Sequence, residues 1–285
     1  MRLTDRAVLR VVGEGATKFL HSLATQDLLS VSSPLKRGAA FGAFLSPQGR
    51  VLYDCLFYAS KYTDESVYLD VHASLVAKVI SNLTRHKLDL PLTIEETHLV
   101  VGAASSVPAN LSAEIITQDP RWRKMPYRFL LPREFAEAEF PEGTNAYHKL
   151  RVQAGVPEGP TEFVPNESLP LNMNLDLLNG VSFNKGCYVG QELTTRTMRR
   201  GVIRRRVVGL QCDEQLTIGS ELQCADNLVG KIFSVSGNRA LAIVQTEAGD
   251  ALNDRNIAAD QLEKVTHTHV AGVSVTIVVP EYYRS

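Results

Sequence analysis

Asn184-Lys185-Gly186-Cys187-Tyr188-Val189-Gly190-Gln191-Glu192 is the stretch around which the rest of the chain reads. Two glycines flank a cysteine, and a lysine stands two residues before it. Gly186 and Gly190 permit backbone conformations closed to other residues and a close approach to a neighbouring group. Lys185 and Arg196 are cations that, folded nearby, favour the thiolate of Cys187 over its thiol. Gln191 and Glu192 add an amide and a carboxylate that can orient whatever the cysteine touches. Most cysteines are buried and inert. The glycines and the polar setting read instead as a thiol the protein uses.

Alone, that thiol has limited chemistry. An iron–sulfur cluster takes four protein ligands, usually thiolates, so Cys187 can hold one only by sharing it with a partner chain. A catalytic thiol wants a histidine close by, and the nearest in sequence are His148 and His267. Cys55, Cys212 and Cys224 sit in β-like runs and read as packing residues. The four cysteines show neither CxxC nor a disulfide-framework spacing, which fits a reducing compartment.

Lys-Gly-Cys-Tyr-x-Gly-Gln-Glu, spelled by Lys185 to Glu192 with Arg196 following, resembles the signature of the folate-binding YgfZ proteins, relatives of the aminomethyltransferase called the glycine cleavage T-protein. The longer run Asn179 to Arg206 is most similar to the mitochondrial branch, which helps to build 4Fe-4S clusters. The resemblance implies an α+β, T-protein-like three-lobed (cloverleaf) fold with a C-terminal antiparallel β-barrel. Its expected lobes are residues 1–42 with 125–200, residues 43–124, and a barrel at 201–285, with a pocket between lobes and Cys187 near its rim. The function implied is maturation of 4Fe-4S proteins, with A-type iron–sulfur scaffold proteins and 4Fe-4S client proteins as partners. Cys187 would be the metal ligand to a transient iron–sulfur cluster shared with a partner. The location implied is the mitochondrial matrix after removal of a transit peptide; the bacterial cytoplasm is the alternative. Two other functions stay open, a tetrahydrofolate-dependent aminomethyltransferase and an adaptor whose cysteine is structural.

The folate question turns on three residues. Asp54 lies in the middle of an apolar strand, where a carboxylate is costly unless paired, used, or on a wet face. Gln48-Gly49-Arg50-Val51-Leu52-Tyr53-Asp54 resembles the T-protein run whose second aspartate carries aminomethyl transfer beside folate, and Asp54 matches that residue. The T-protein's R-L-E-A-G glutamate is replaced by Gln153 in Arg151-Val152-Gln153-Ala154-Gly155. An amide accepts at one end only, so a folate-shaped pocket without turnover is expected. Tyr147 and Trp122 offer ring-stacking surfaces or simply core.

Outward from these motifs the chain reads as an ordinary globular one. Its 285 residues suggest two or three packed units, with 44% hydrophobic and 21% charged residues. A net charge of −1 gives no field for nucleic acid or an anionic membrane, and no run approaches the ~18 apolar residues of a membrane span. Leu3 to Val12 reads as a strand, with no signal peptide or Arg/Ser-rich presequence before it. Ala16, Phe19, Leu20 and Leu23 mark one face of a helix. A hairpin turns at Ser46-Pro47-Gln48-Gly49, Val67–Val71 continues the sheet, and a helix over Leu75 to Leu83 precedes a strand at Leu99. Pro108 to Pro120 reads as a surface excursion. Thr144 reads as the cap of a helix carrying Tyr147, Leu150 and Ala154 on one side. Beyond residue 200, short β-rich runs separated by Gly, Asn and Asp predict a small barrel. Arg196, Arg199, Arg200, Arg204, Arg205 and Arg206 fit a solvated strand face, an acidic partner protein or the glutamate tail of folate. Nucleic acid is disfavoured, because the rest of the chain is not basic and carries no RNA-binding motif.

Overall fold

A computed structural model describes residues 1–30, 32–63, 65–109, 111–200, 203–224, 227–245, 268–270 and 272–284. From the N-terminus run β1 (Arg2–Leu3), β2 (Arg6–Val12), α1 (Ala16–Leu23), β3 (Ala39–Leu45), β4 (Val51–Ala59), β5 (Ser66–His72), α2 (Val76–Lys87) and β6 (Thr93–Glu96). β7 (Leu99–Ala104), β8 (Ile115–Gln118), β9 (Tyr127–Pro132), α3 (Arg133–Glu139), α4 (Thr144–Gln153) and α5 (Gln191–Arg200) follow. The last strands are β10 (Arg205–Gln211), β11 (Glu221–Cys224), β12 (Asn227–Ser236), β13 (Arg239–Gln245), β14 (Thr268–Val270) and β15 (Val273–Val278).

The strands fall into an antiparallel five-stranded sheet ordered β3-β4-β5-β2-β6, a four-stranded sheet β1-β7-β9-β8, and a closed barrel β10-β13-β12-β11-β14-β15. The mixed helix-and-sheet class and the C-terminal antiparallel barrel are those expected. The expected edges of the first two lobes are not. β2 lies between β5 and β6, so backbone hydrogen bonds make residues 6–96 one sheet. A boundary at 42/43 would cut through β3, and one at 124/125 would part β9 from its partners β7 and β8. From the N-terminus only Met1 to Leu3 joins the second sheet, through β7, while the Arg2 N–H bonds the Pro141 carbonyl in the loop between α3 and α4.

Both faces of the first sheet are covered, and this decides the fate of Asp54. Tyr53, Cys55 and Phe57 point into a core shared with Phe19, Leu20, Val79 and Leu83 of α1 and α2. Leu56 and Tyr58 point the other way, into a core with Val101, Leu130 and Tyr147. Strand alternation puts Asp54 on that second side, at 0% exposure. Neither face is wet. Two smaller expectations are corrected as well. Residues 115–118, inside the predicted surface excursion, pair with β9 as an edge strand because Ile115 has an apolar core to enter. α4 begins after Gly143 rather than being capped by Thr144, and buries Tyr147, Arg151 and Val152 while Leu150 is exposed.

Candidate functional site

The cysteine motif is a loop leading into α5, fixed on both sides of the thiol. On the near side, the Lys185 ammonium donates to the carbonyls of His21, Ala24 and Gln26 at 2.5, 2.6 and 3.1 Å. It also lies 4.8 Å from the centre of the Tyr188 ring. Burial pushes Lys185 down to about 8, with Asp27 opposing. On the far side, Gly190 has φ +78, and a Cβ there would fall 2.3 Å from the Ser46 carbonyl oxygen and 2.9 Å from the Leu45 Cβ. Only glycine lets the loop lie against the β3–β4 turn this closely. The Gln191 side-chain carbonyl accepts the Tyr188 N–H at 3.1 Å, and the Tyr188 ring is buried in the core. Between these fixtures Gly186 and Cys187 are exposed, and a Cβ added at Gly186 would meet nothing within 4 Å.

The motif residues lie together on this loop and the first turns of α5, and the role expected of Lys185 changes. All three Lys185 N–H groups are spent on backbone carbonyls, so Lys185 is a tether rather than a partner for the thiolate. Arg196 sits one turn into α5, 3.7 Å from Glu192 in an exposed i,i+4 pair. Cys55 and Cys212 are buried, as packing residues should be. The side chain of Cys224, and His267, lie outside the described residues.

The centre between the two sheets is filled by charge rather than open as a pocket. Arg6, Arg121 and Arg128 face Asp54, Asp70, Asp119 and Glu158, none more than 5% exposed. Asp70 accepts from Arg6 Nε and Arg128 Nη2, each at 2.6 Å. Asp119 accepts from Arg121 at 2.9 and 2.6 Å, and Glu158 Oε2 from Arg121 Nη1 at 2.5 Å. Burial opposes the charge of Glu158, yet Arg121, Arg6 and Arg128 outweigh it and hold the carboxyl well below the usual range. Asp54 is the odd member. Its Oδ1 accepts the Gly159 N–H at 3.2 Å. Among the described residues its Oδ2 has no hydrogen-bond partner; it lies 3.9 Å from Arg6 Nη1, which makes no hydrogen bond either and lies 3.7 Å from Glu158 Oε1. Burial raises the Asp54 carboxyl above its ordinary value, Arg6 opposing.

The three residues expected to hold folate do not form one pocket. Tyr147 is enclosed: its hydroxyl donates to Glu158 at 2.7 Å and accepts from Arg121 and Arg128 at 2.6 and 2.7 Å. The Arg128 guanidinium lies 5.4 Å from the centre of its ring. Gln153 is exposed at a different place, a cleft of about 810 Å³ with Trp122, Lys124 and Pro280. Trp122 packs edge-on to Tyr282. As a set, Asp54, Tyr147 and Gln153 do not fit tetrahydrofolate, since the first two are fully enclosed and the third lines a separate cleft. The cleft of about 710 Å³ next to the motif is lined by Asn179, Val181 and Phe183, and Cys187 is not among its lining residues.

Sequence reading missed the other six charged members of the network. Two of them, Asp70 and Arg128, are charged residues inside apolar strand runs, the same signal that singled out Asp54, and Arg6 opens β2. The six arginines also divide. Arg196, Arg199 and Arg200 are exposed on helix α5 rather than on a strand, and Arg204 and Arg205 are exposed. Arg206 is buried, donating to both oxygens of Asp176 at 2.6 and 2.9 Å.

Comparison with known proteins follows the same lines. Residues 204–284 match the family model of the CAF17 C-terminal beta-barrel domain. The chain is 32% identical to the mouse (Mus musculus) protein named iron-sulfur cluster assembly factor IBA57, mitochondrial, over 99% of this chain and 84% of the relative. It is 34% identical to the human (Homo sapiens) protein of that name, over 86% of this chain and 77% of the relative. Among solved structures, the glycine cleavage system aminomethyltransferase T from Bartonella henselae superposes with a TM-score of 0.68 at 16% identity, over 99% of this chain and 85% of that one. That last likeness is one of fold.

Proposed function

Because the chain belongs to the IBA57 family of iron–sulfur cluster assembly factors, we propose that it matures 4Fe-4S proteins by lending Cys187 to a cluster shared with an A-type scaffold protein. It is an assembly factor, not an aminomethyltransferase, and it works in the mitochondrion; the matrix is its proposed compartment. The observation that carries the role of Cys187 is its presentation: an exposed thiol on a loop fastened at both ends. One thiol leaves the remaining cluster ligands to the partner. The exposed arginines of α5 begin nine residues after Cys187 and form a surface for an acidic face of that partner. The cluster itself is cargo, passed on to the 4Fe-4S client proteins.

The test is anaerobic mixing with a cluster-loaded A-type scaffold, followed by size and visible absorption together. A heteromeric complex that carries the chromophore supports the reading. Two separately eluting proteins, with the chromophore on the scaffold alone, would overturn it.

A further inference from the structure

The bonds that fix the near side of the cysteine loop converge on one short segment, Ala24 to Gln26, directly after α1. Thr25 is buried at 0% exposure. Its hydroxyl donates to the Gly180 carbonyl at 2.6 Å and accepts the Ala43 N–H of β3 at 2.9 Å. Its own carbonyl accepts the Ser182 N–H at 3.0 Å. The Gln26 amide donates to the Asn179 carbonyl at 2.5 Å. The Ala24 and Gln26 carbonyls, with that of His21, take the three N–H groups of Lys185. So residues 179, 180, 182 and 185 are all tied to three consecutive residues, and the tie ends two positions before Cys187.

The chemistry of the tie is specific. The last carbonyls of a helix have no partner within it, and the helix dipole makes that end negative. A compact ammonium with three rotatable donors satisfies two such carbonyls, those of His21 and Ala24, together with the Gln26 carbonyl just beyond the helix; a planar guanidinium presents its donors in a flat fork. Each of these bonds has a charged donor, the stronger class of hydrogen bond. A ligand group held on a fixed stem loses less conformational freedom when a partner engages it.

We infer that Thr25 and Lys185 are positioning residues for Cys187, fastening its loop to the end of α1 so that the thiol meets the partner from a fixed stem. The consequence for cluster sharing rests on the function proposed above; the stem itself does not.

Two variants test it, Lys185→Met and Thr25→Val, with Thr25→Ser as the conservative control. Hydrogen exchange is followed across the whole chain, and affinity for the cluster-loaded A-type scaffold is measured alongside. Each disruptive variant should speed exchange of the Ser182 and Tyr188 amides by about tenfold or more, leaving α2 and barrel amides unchanged. Each should also weaken the scaffold complex by about tenfold, while Thr25→Ser stays within about twofold of the native chain on both measures. Unchanged exchange at Ser182 and Tyr188 would overturn the inference. So would faster exchange spread evenly over α2 and the barrel, which would make these residues general supports of the fold. Faster local exchange with undiminished scaffold affinity would overturn the positioning role. If Cys187→Ser retained the cluster while Lys185→Met still loosened the loop, the proposed function would fail and the stem would stand.

Discussion

Gly190 and Gly49 meet backbone to backbone. A Cβ on Gly190 would lie 3.1 Å from the Cα of Gly49, and a Cβ on Gly49 would lie 2.9 Å from the carbonyl oxygen of Gly190. Their φ angles are +78 and +77, in the left-handed region that favours glycine. The hairpin turn of the first sheet thereby seats the loop that presents the cysteine.

Gly190→Ala should lose at least about 2 kcal/mol, from strained φ and the collision with the Ser46 carbonyl together. Gly186→Ala, four residues away in open space, should cost less than about 0.5 kcal/mol. Urea unfolding of the pair measures the difference. Equal stability of the two variants would remove the close approach from the account.

The buried network gives a pH signature. Glu158 is held below its ordinary value of 4.5, so its contribution is present above that pH and is lost as pH falls through the lower folded value. Asp54 is raised above 3.8, so its contribution is present below that pH and is lost as pH rises through the higher folded value. At neutral pH, Glu158→Gln should cost about 3–5 kcal/mol by leaving arginines unpaired. Asp54→Asn should cost less than about 1 kcal/mol. The Glu158→Gln deficit should shrink in acid, and the Asp54→Asn deficit should shrink as pH rises. Unfolding curves from pH 3 to pH 8 decide it, and an Asp54→Asn deficit as large as that of Glu158→Gln at neutral pH would contradict it.

The exposed and buried arginines should separate by assay. Arg199→Glu with Arg200→Glu should weaken association with the scaffold by about tenfold, and added salt should weaken the native complex in the same direction. Arg206→Ala should instead lower stability, since it strands the buried Asp176. Affinity titrations at low and high salt, beside unfolding curves, distinguish the two. Salt-independent affinity, unaltered by the double reversal, would return Arg199 and Arg200 to a solvated face.

Much of the frame was legible in the residues. The α1 stripe of Ala16, Phe19, Leu20 and Leu23 is buried as its spacing requires, and the hairpin turns at Ser46–Gly49, where Pro and Gly demand it. The barrel strands appeared as short β-rich runs. What stayed hidden depends on contacts distant in sequence. Arg6 and Asp70 are 64 residues apart and Lys185 and Ala24 are 161 apart, and no periodicity encodes such pairs. In sequence Lys185 reads as a cation for its neighbour Cys187, because adjacency is all a sequence offers. The lobe boundaries failed for the same reason: β2 enters the middle of a sheet whose other strands come after it. Gln153 matches a motif position, but only the fold reveals that it is exposed in a cleft that Asp54 does not line.

The central claim is that Cys187 supplies one ligand to a cluster held between two proteins. Cys187→Ser should fold with stability within about 1 kcal/mol of the native chain, because the site is exposed, while a hydroxyl near neutral pH is a poor ligand for iron where a thiolate is required. The decisive measurement is visible absorption of the isolated complex after anaerobic mixing with cluster-loaded A-type scaffold, comparing native chain, Cys187→Ser and Cys55→Ser. A chromophore is expected in the complexes of the native chain and of Cys55→Ser, and its loss with Cys187→Ser. A Cys187→Ser complex carrying the native amount of cluster would contradict it.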